Sequence, residues 1–242
     1  MSKLPEQLSL NIKLDDSVSL EKFIHCESNN NSLEFLKSSI LEGSTSNLFY
    51  IYGREGVGKS YIMRALNREF SSLNKKTLHL SLMDSRITSH EIFQNLGSLD
   101  VLLIEKIEKL PKDKDWEVQF FSLINDALSS KTKIYISSNK VSKDLAISLM
   151  DLRSRLSYFT AIEIPEITQA EKIEALSQSS RRKGFDLDKN SLQYIINHTS
   201  RSLSDLLGLI DDLDGYALKK KKKVTAALVR ELLASRPHNS RK

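Results

Sequence analysis

Cysteine is almost absent from the sequence, and long runs of apolar residues are missing altogether. The 242 residues include one cysteine, Cys26, so no disulfide can form within the chain and no pair of thiols is present to begin a zinc site. No stretch approaches the roughly 18 consecutive apolar residues of a membrane-spanning helix, and the first seven residues lack the apolar core of a signal peptide. We therefore expect a cytoplasmic protein that makes no contact with a membrane.

A general excess of one charge is also lacking. Lys and Arg number 36 against 31 Asp and Glu, but five of those lysines form one run, residues 219–223, without which the two signs are equal in number. A protein that grips nucleic acid over a broad face needs positive charge along a stripe. We therefore expect any contact with DNA to be indirect or weak. The five histidines are scattered without the spacing of zinc ligands.

Five short apolar segments predict the strands of one sheet. They alternate with helical segments, and their hydrophobicity is continuous rather than alternating, which indicates burial on both faces. The predicted strands cover residues 48–52, 77–82, 101–104, 133–137 and 159–164. The predicted fold class is α/β, with a five-stranded parallel sheet as the middle layer of three.

The pattern changes after Pro165, where only helical periodicity remains. Four helices are predicted, over residues 168–183, 189–199, 202–218 and 224–234. Thr168 and Glu171 have the spacing of a capping box, in which a hydroxyl and a carboxylate satisfy the free amides at a helix start. We predict a flexible tail over residues 1–14, a nucleotide-binding α/β domain over 15–165 and a small helical domain over 166–242.

A phosphate-binding loop follows the first predicted strand and opens the next helix. Residues 53–60 read GREGVGKS and fit the pattern GxxxxGK[ST]. Glycines let successive backbone amides turn around phosphate oxygens, the lysine reaches the β and γ phosphates, and the hydroxyl binds Mg²⁺. The predicted ligand is ADP or ATP with Mg²⁺, and its predicted contacts are Gly53, Gly56, Val57, Gly58, Lys59 and Ser60.

The end of the third predicted strand, residues 104–108 (IEKIE), is where P-loop ATPases carry the acid that holds Mg²⁺. Glu105 stands in that place, and Lys106 follows where a second acid would orient water. An ammonium group cannot accept a proton near pH 7, so we predict slow or absent intrinsic hydrolysis. For Glu108 we favour a solvated surface charge over a catalytic role. Asn139, after the fourth strand, either meets the γ-phosphate or caps the next turn.

Four segments together resemble the AAA+ proteins of the bacterial replication-initiator clade, and most of all the family of DnaA homologues that inactivate the initiator. The resemblance extends over the whole chain. It rests on residues 54–60 (REGVGKS), 104–108 (IEKIE), 151–156 (DLRSRL) and 182–187 (RKGFDL). A small all-helical lid after the AAA+ core is the domain order that this resemblance implies.

The resemblance implies an arginine finger at Arg155, which would enter the ATP site of a neighbouring molecule. A guanidinium group there stabilises the charge that develops on the transferred phosphoryl group. Arg153 is a less well-aligned alternative, and a solvated or structural ion pair is the ordinary role of such an arginine. The family's second sensor arginine aligns with Ser204, which cannot pair with a γ-phosphate as a guanidinium does.

The tail is similar to the short peptide with which that family binds the sliding clamp. The predicted contacts with the DNA polymerase III β clamp are Gln7, Leu8, Ser9, Leu10 and Ile12. A glutamine followed by apolar side chains at alternate positions suits an extended segment in a hydrophobic groove. The ending Asn11-Ile12 departs from the commoner Pro-Leu or Leu-Phe.

The implied function is regulation of DNA replication initiation, in which the protein binds the sliding clamp, stimulates hydrolysis of DnaA-bound ATP and so prevents re-initiation. The C-terminal residues are expected to leave no room for an initiator's DNA-binding domain. Assembly into a homo-oligomer is compatible with this function. Two alternatives stay open: an autonomous AAA+ ATPase that loads or remodels a replication protein, and a nucleic-acid-binding module that uses the lysine run.

Overall fold

The structure is a computed structural model that describes residues 18–41, 46–94, 96, 99–199 and 202–235, apart from the side chain of Ser204. In these residues, one parallel sheet forms the centre of the fold. The strand order is β2-β3-β4-β1-β5, and every neighbouring pair is parallel. The strands are β1 (Leu48–Tyr52), β2 (Thr77–Ser81), β3 (Val101–Glu105), β4 (Lys133–Ser138) and β5 (Thr160–Glu163). All five predicted strands are confirmed, with ends that differ by at most one residue.

Helices cover both faces of this sheet. One face carries α1 (Asn30–Ile40) and α2 (Lys59–Ser72), and the other carries α3 (Lys114–Ser130) and α4 (Met150–Ser157). Successive side chains of a strand point to opposite faces. In β1, Phe49 therefore packs with α1 and α2, while Tyr50 packs with α3 and α4. The predicted three-layer α/β architecture is confirmed.

The helical region after the sheet has an apolar core of its own. Its helices are α5 (Gln169–Arg182), α6 (Lys189–His198), α7 (Leu203–Lys220) and α8 (Ala226–Ser235). Each contributes to one cluster, with Leu176 from α5, Ile195 from α6, Leu209 from α7 and Val229 from α8 all nearly inaccessible to solvent. The four predicted helices are confirmed. Among the described residues, none of the helices is both long and apolar enough to span a bilayer.

The segment before α1 lies between the sheet and the helical region. Ile24 and Cys26 pack against apolar side chains of the helical region, among them Ala175. The backbone N–H of Ser28 donates to Glu171 Oε1 over 3.2 Å. Glu171 also completes the predicted capping box of α5 with Thr168. One carboxylate therefore both starts the first helix of the helical region and holds that helix to the segment before α1.

Glu171→Ala tests this junction through its pH dependence. Hydrogen bonds, first from the backbone of Thr168, lower the pKa of Glu171 from 4.5 to about 2. A lowered pKa means that the carboxylate contributes stability above pH 4.5 and loses it as the pH falls towards 2. At pH 7 we expect the melting temperature to fall by roughly 2–4 °C, which corresponds to about 1 kcal/mol or less after solvent screening.

Thermal melts between pH 2 and pH 7 measure this effect, and the gap between the two proteins is expected to close below pH 4.5. Glu174→Ala is the matched control, because Glu174 lies one turn further along α5 and, among the described residues, its carboxylate accepts a hydrogen bond only from Gln178 Nε2. A gap for Glu171→Ala that is constant with pH would contradict the assignment.

Candidate nucleotide site

A cleft of about 700 Å³ lies where the carboxyl ends of the strands meet the helical region, a volume within the usual range of small-molecule sites. Five of the predicted phosphate-loop residues line it, namely Gly56, Val57, Gly58, Lys59 and Ser60, together with Asn139 from the end of β4. The opposite wall comes from the helical region and includes Lys172, Ser202 and Asp205. The structure therefore brings together residues that are 150 positions apart at the extremes, from Glu55 to Asp205.

Two glycines let the loop run close to its neighbours. Gly58 has φ +97°, and a Cβ atom there would lie 2.6 Å from the ring of Phe23. Gly56 has φ +83°, and its Cβ would lie 2.9 Å from the side chain of Ser202. The helix α2 begins directly after Gly58 without a side-chain cap. The first amides of a helix have no partner within the helix, and here they lie at the cleft, where they can bind an anion.

Lys59 closes the loop on itself. Its Nζ donates to the carbonyl oxygens of Gly53 and Arg54, each over 2.7 Å. Burial lowers the pKa of Lys59, and negative neighbours, Glu108 first among them, partly offset that effect. Gly53 does not line the cleft itself, but its carbonyl oxygen positions the lysine that does.

Glu105 sits behind the loop rather than in the lining of the cleft. Its Oε2 accepts a hydrogen bond from Ser60 Oγ over 2.5 Å, and its Oε1 accepts one from His79 Nε2 over 2.7 Å. Burial raises the pKa of Glu105, but the hydrogen bonds from His79 and Ser60 outweigh it and leave the pKa below its ordinary value. The predicted pair Ser60 and Glu105 is thus in direct contact, with the carboxylate ionised.

Sequence reasoning missed His79. It is the one basic residue in β2, whose other residues are apolar or carry a hydroxyl group. That contrast is the sequence feature that could have pointed to it. Its role depends on β2 lying beside β3, which is seen in the register that pairs Ser81 with Glu105. A single sequence does not reveal which strands are neighbours.

Glu108 is not the solvated surface charge that we favoured from the sequence. Lys106 adopts a left-handed conformation with φ +60°, and a short 3₁₀ turn, Ile107–Lys109, follows it. The chain thereby returns Glu108 to the end of β4, where Oε2 accepts hydrogen bonds from Ser138 Oγ at 2.9 Å and from the backbone N–H of Asn139 at 3.3 Å. Its Oε1 is buried and has no hydrogen-bond partner among the described residues.

An ion-pair chain joins the loop to the helical region. Glu166, between β5 and α5, accepts hydrogen bonds from Arg54 and from Lys172, each over 3.2 Å. The Lys172 side chain is only 9% exposed, whereas Arg54 is 83% exposed. Interaction first with Lys172 and then with Arg54 lowers the pKa of Glu166. The Glu166–Lys172 ion pair is the stronger of the two, because solvent screens the exposed Glu166–Arg54 pair.

Arg155 lies apart from the cleft. It is on α4, half-buried, with its guanidinium carbon 5.9 Å from the centre of the Phe121 ring. Within the part of the chain that the structure describes, Arg155 makes no ion pair with an acid. Arg153 on the same helix is exposed. The structure therefore separates Arg155 from the residues of its own phosphate loop.

A family model described as the bacterial DnaA ATPase domain matches residues 14–163 of this sequence. The chain belongs to this family. A second model, described as the lid domain of Hda, matches residues 169–233 and covers the four-helix region. The chain is therefore an Hda-type DnaA homologue, and the expected relationship to the DnaA-homologous AAA+ proteins is confirmed.

Solved structures confirm that this DnaA homologue has an AAA+ fold. Domain III of the replication initiation protein DnaA from Thermotoga maritima is 17% identical, with a TM-score of 0.76 over 91% of this chain and 97% of that one. AMPPCP-bound DnaA from Aquifex aeolicus is 22% identical, with a TM-score of 0.72 over 83% of this chain and 66% of that one. The RuvB Holliday junction branch migration motor of T. maritima is 19% identical, with a TM-score of 0.65 over 89% and 71%.

A sequence relative of similar length comes from Haemophilus influenzae. It is described as an uncharacterized protein and is 28% identical over 233 residues, which cover 94% of this DnaA homologue and 98% of the relative. The shared length spans both the sheet and the helical region.

Gly58→Ala tests whether the loop geometry serves a nucleotide. A side chain at φ +97° and 2.6 Å from Phe23 must displace the loop. We expect the affinity for a fluorescent ADP to fall roughly 5- to 30-fold, since a left-handed conformation costs a non-glycine residue roughly 1–2 kcal/mol. Equilibrium titration measures the affinity. Gly215→Ala, whose Cβ would meet nothing within 4 Å, is the control and should bind as the unsubstituted protein does.

Proposed function

We propose that this DnaA homologue holds ADP or ATP in its cleft and regulates the initiation of DNA replication by stimulating hydrolysis of ATP bound to DnaA. The observation that carries the proposal is the location of Arg155. The residue lies away from its own cleft, on a short helix, and has no acidic partner among the described residues. A guanidinium in such a position is available to a second molecule.

The nucleotide would be held by the loop amides, Lys59 and Asn139. On binding, Lys59 Nζ would exchange the carbonyl oxygens of Gly53 and Arg54 for phosphate oxygens. The similar DnaA from A. aeolicus binds AMPPCP, and we extend that ligand class to this chain. The ion-pair chain through Glu166 lies at the edge of the same cleft, so nucleotide binding would couple to the helical region.

Mg²⁺ fits the remaining donors. Ser60 and Glu105 supply a hydroxyl and an ionised carboxylate, the hard oxygen ligands that Mg²⁺ prefers, and phosphate oxygens and water would complete its shell. Among the described residues there is no group of three or more His, Cys, Asp or Glu that could hold a metal alone. His79 would fix the orientation of Glu105 through the hydrogen bond to Oε1.

Hydrolysis of the protein's own nucleotide would be slow. Lys106 occupies the place of a water-orienting acid, and an ammonium group cannot act as a base near pH 7. A resident nucleotide would then act as a structural or switching ligand. Arg155 would instead enter the active site of DnaA, where it would stabilise the charge developing on the γ-phosphoryl group.

One observation favours the alternative of an autonomous AAA+ ATPase. Glu108 is turned towards the end of β4 beside Asn139, and one of its oxygens has no partner among the described residues. A carboxylate there could orient water in place of Lys106. Phosphate release by the protein alone, abolished by Lys59→Ala and by Glu108→Gln, would favour this alternative.

Arg155→Ala is the decisive substitution for the proposed function. We expect the unsubstituted protein to accelerate phosphate release from ATP-loaded DnaA in the presence of a DNA-loaded clamp. The variant should return the rate to that of DnaA alone, because an arginine finger contributes roughly 10³-fold or more. Arg153→Ala, two residues away and exposed, is the control and should retain the acceleration. No acceleration by the unsubstituted protein would contradict the proposal.

The tail is proposed as the contact with the sliding clamp. Gln7, Leu8, Ser9, Leu10 and Ile12 lie outside the described residues, so this part rests on their sequence pattern alone. Apolar side chains at alternate positions suit a groove that binds an extended peptide.

Gln7→Ala combined with Leu10→Ala should weaken capture by immobilised β clamp at least tenfold, measured by surface plasmon resonance. Ser2→Ala, which also shortens a side chain but lies outside residues 7–12, is the matched control. Nucleotide affinity should be the same in all three proteins, and equal clamp capture by all three would remove the clamp from the proposal.

A further inference from the structure

Glu117 is a buried carboxylate that lies outside the nucleotide cleft. It is on α3, with only 3% of its surface exposed. A buried charge is costly unless hydrogen bonds compensate for the lost water. The hydrogen-bond partners of Glu117 therefore indicate its role in the structure.

Among the described residues, the carboxylate of Glu117 accepts hydrogen bonds only from the backbone just before α4. The N–H of Ser148 donates to both carboxylate oxygens, at 2.9 and 3.1 Å, and the N–H of Leu149 donates to Oε2 at 2.7 Å. Leu149 is the N-terminal cap residue of α4, and its own side chain provides no cap. The start of α4 is thus held by a side chain of α3.

The rest of α4 is held by packing. Leu152 and Leu156 are 0% and 2% exposed, and they fix which face of the helix turns to the core. Apolar contacts are not directional, so they control the position of the helix along its axis less strictly than hydrogen bonds to a buried carboxylate do.

Arg155 is supported by the same face of α3. Phe121, whose ring lies under the Arg155 guanidinium, is four residues after Glu117 and therefore one helical turn away. Two side chains of α3 thus contact this helix: Glu117 bonds to the backbone at its start, and Phe121 contacts the Arg155 guanidinium.

We propose that Glu117 is a positioning residue for Arg155, a role that rests on the proposed function of Arg155 as a finger in trans. Glu117 does not touch the reacting atoms. It fixes the axial position of α4, and with it the reach of the guanidinium into the neighbouring active site. A displacement of about 1 Å in a catalytic group can cost roughly 100-fold in rate, so a loosened α4 would bind the partner but stabilise its transition state poorly.

A purely structural role makes a different prediction, and kinetics separate the two. Phosphate release from ATP-loaded DnaA, followed at increasing concentrations of this protein, yields a maximal acceleration and a half-maximal concentration. For Glu117→Ala we expect the maximal acceleration to fall at least tenfold, with the half-maximal concentration changed less than twofold. Glu117→Gln keeps one acceptor oxygen and should be intermediate, which also covers the case in which the alanine variant fails to fold.

Asp188→Ala is the matched control. Asp188 also accepts a hydrogen bond at a helix start, from the N–H of Ser191 over 2.6 Å, but it does so at α6 in the helical region. This variant should lower the melting temperature and leave both kinetic parameters unchanged. Hydrogen exchange of residues 148–157 should speed up at least tenfold in Glu117→Ala and stay unchanged in Asp188→Ala.

The outcomes distinguish the two proposals. Full maximal acceleration by Glu117→Ala, or by Glu117→Gln if the alanine variant is unfolded, would overturn the positioning role and leave the proposed function intact. Unchanged exchange in residues 148–157 would also overturn it. No acceleration by the unsubstituted protein would overturn the proposed function and the positioning role together, whatever the exchange shows.

Discussion

The site depends on the sharp passage from β1 into α2. β1 lies inside the sheet, between β4 and β5, and its first four residues are buried. Packing on both faces of the sheet therefore fixes the direction of this strand. The chain must leave the strand, turn and enter a helix within a few residues, and left-handed glycines make that turn sterically possible. The result is a helix that begins at the cleft with no side-chain cap at Gly58, so a backbone constraint creates the candidate anion site.

The cleft is also the junction between the sheet and the helical region. The Arg54–Glu166–Lys172 chain and the bond from Ser28 to Glu171 cross that junction. Of these polar contacts only the one at Lys172 is largely buried, so they combine one firm contact with exposed, screened ones. A ligand placed among these residues would add contacts to both sides and could bias their relative position.

The opposite face of the sheet carries the helices that position Arg155. There α3 and α4 place Arg155 outside the cleft, and a buried carboxylate, not a side chain of α4 itself, holds the start of its short helix. A helix of eight residues has little stability of its own. The position of Arg155 therefore depends on α3 and on the core beneath it.

Local pattern was enough to predict the strands, the lid helices, the phosphate loop and the Thr168 cap, because each depends on hydrophobic period or on residue types a few positions apart. Contacts across the chain were not predictable in this way. His79 meets Glu105 only because β2 lies beside β3, Glu108 turns back only because Lys106 is left-handed, and Glu117 reaches Ser148 only when α3 packs on α4. Local residue patterns thus predicted the helices, the strands and the phosphate-loop motif. Tertiary packing brought the distant polar groups together, since their contacts depend on strand order and helix placement that no local pattern encodes.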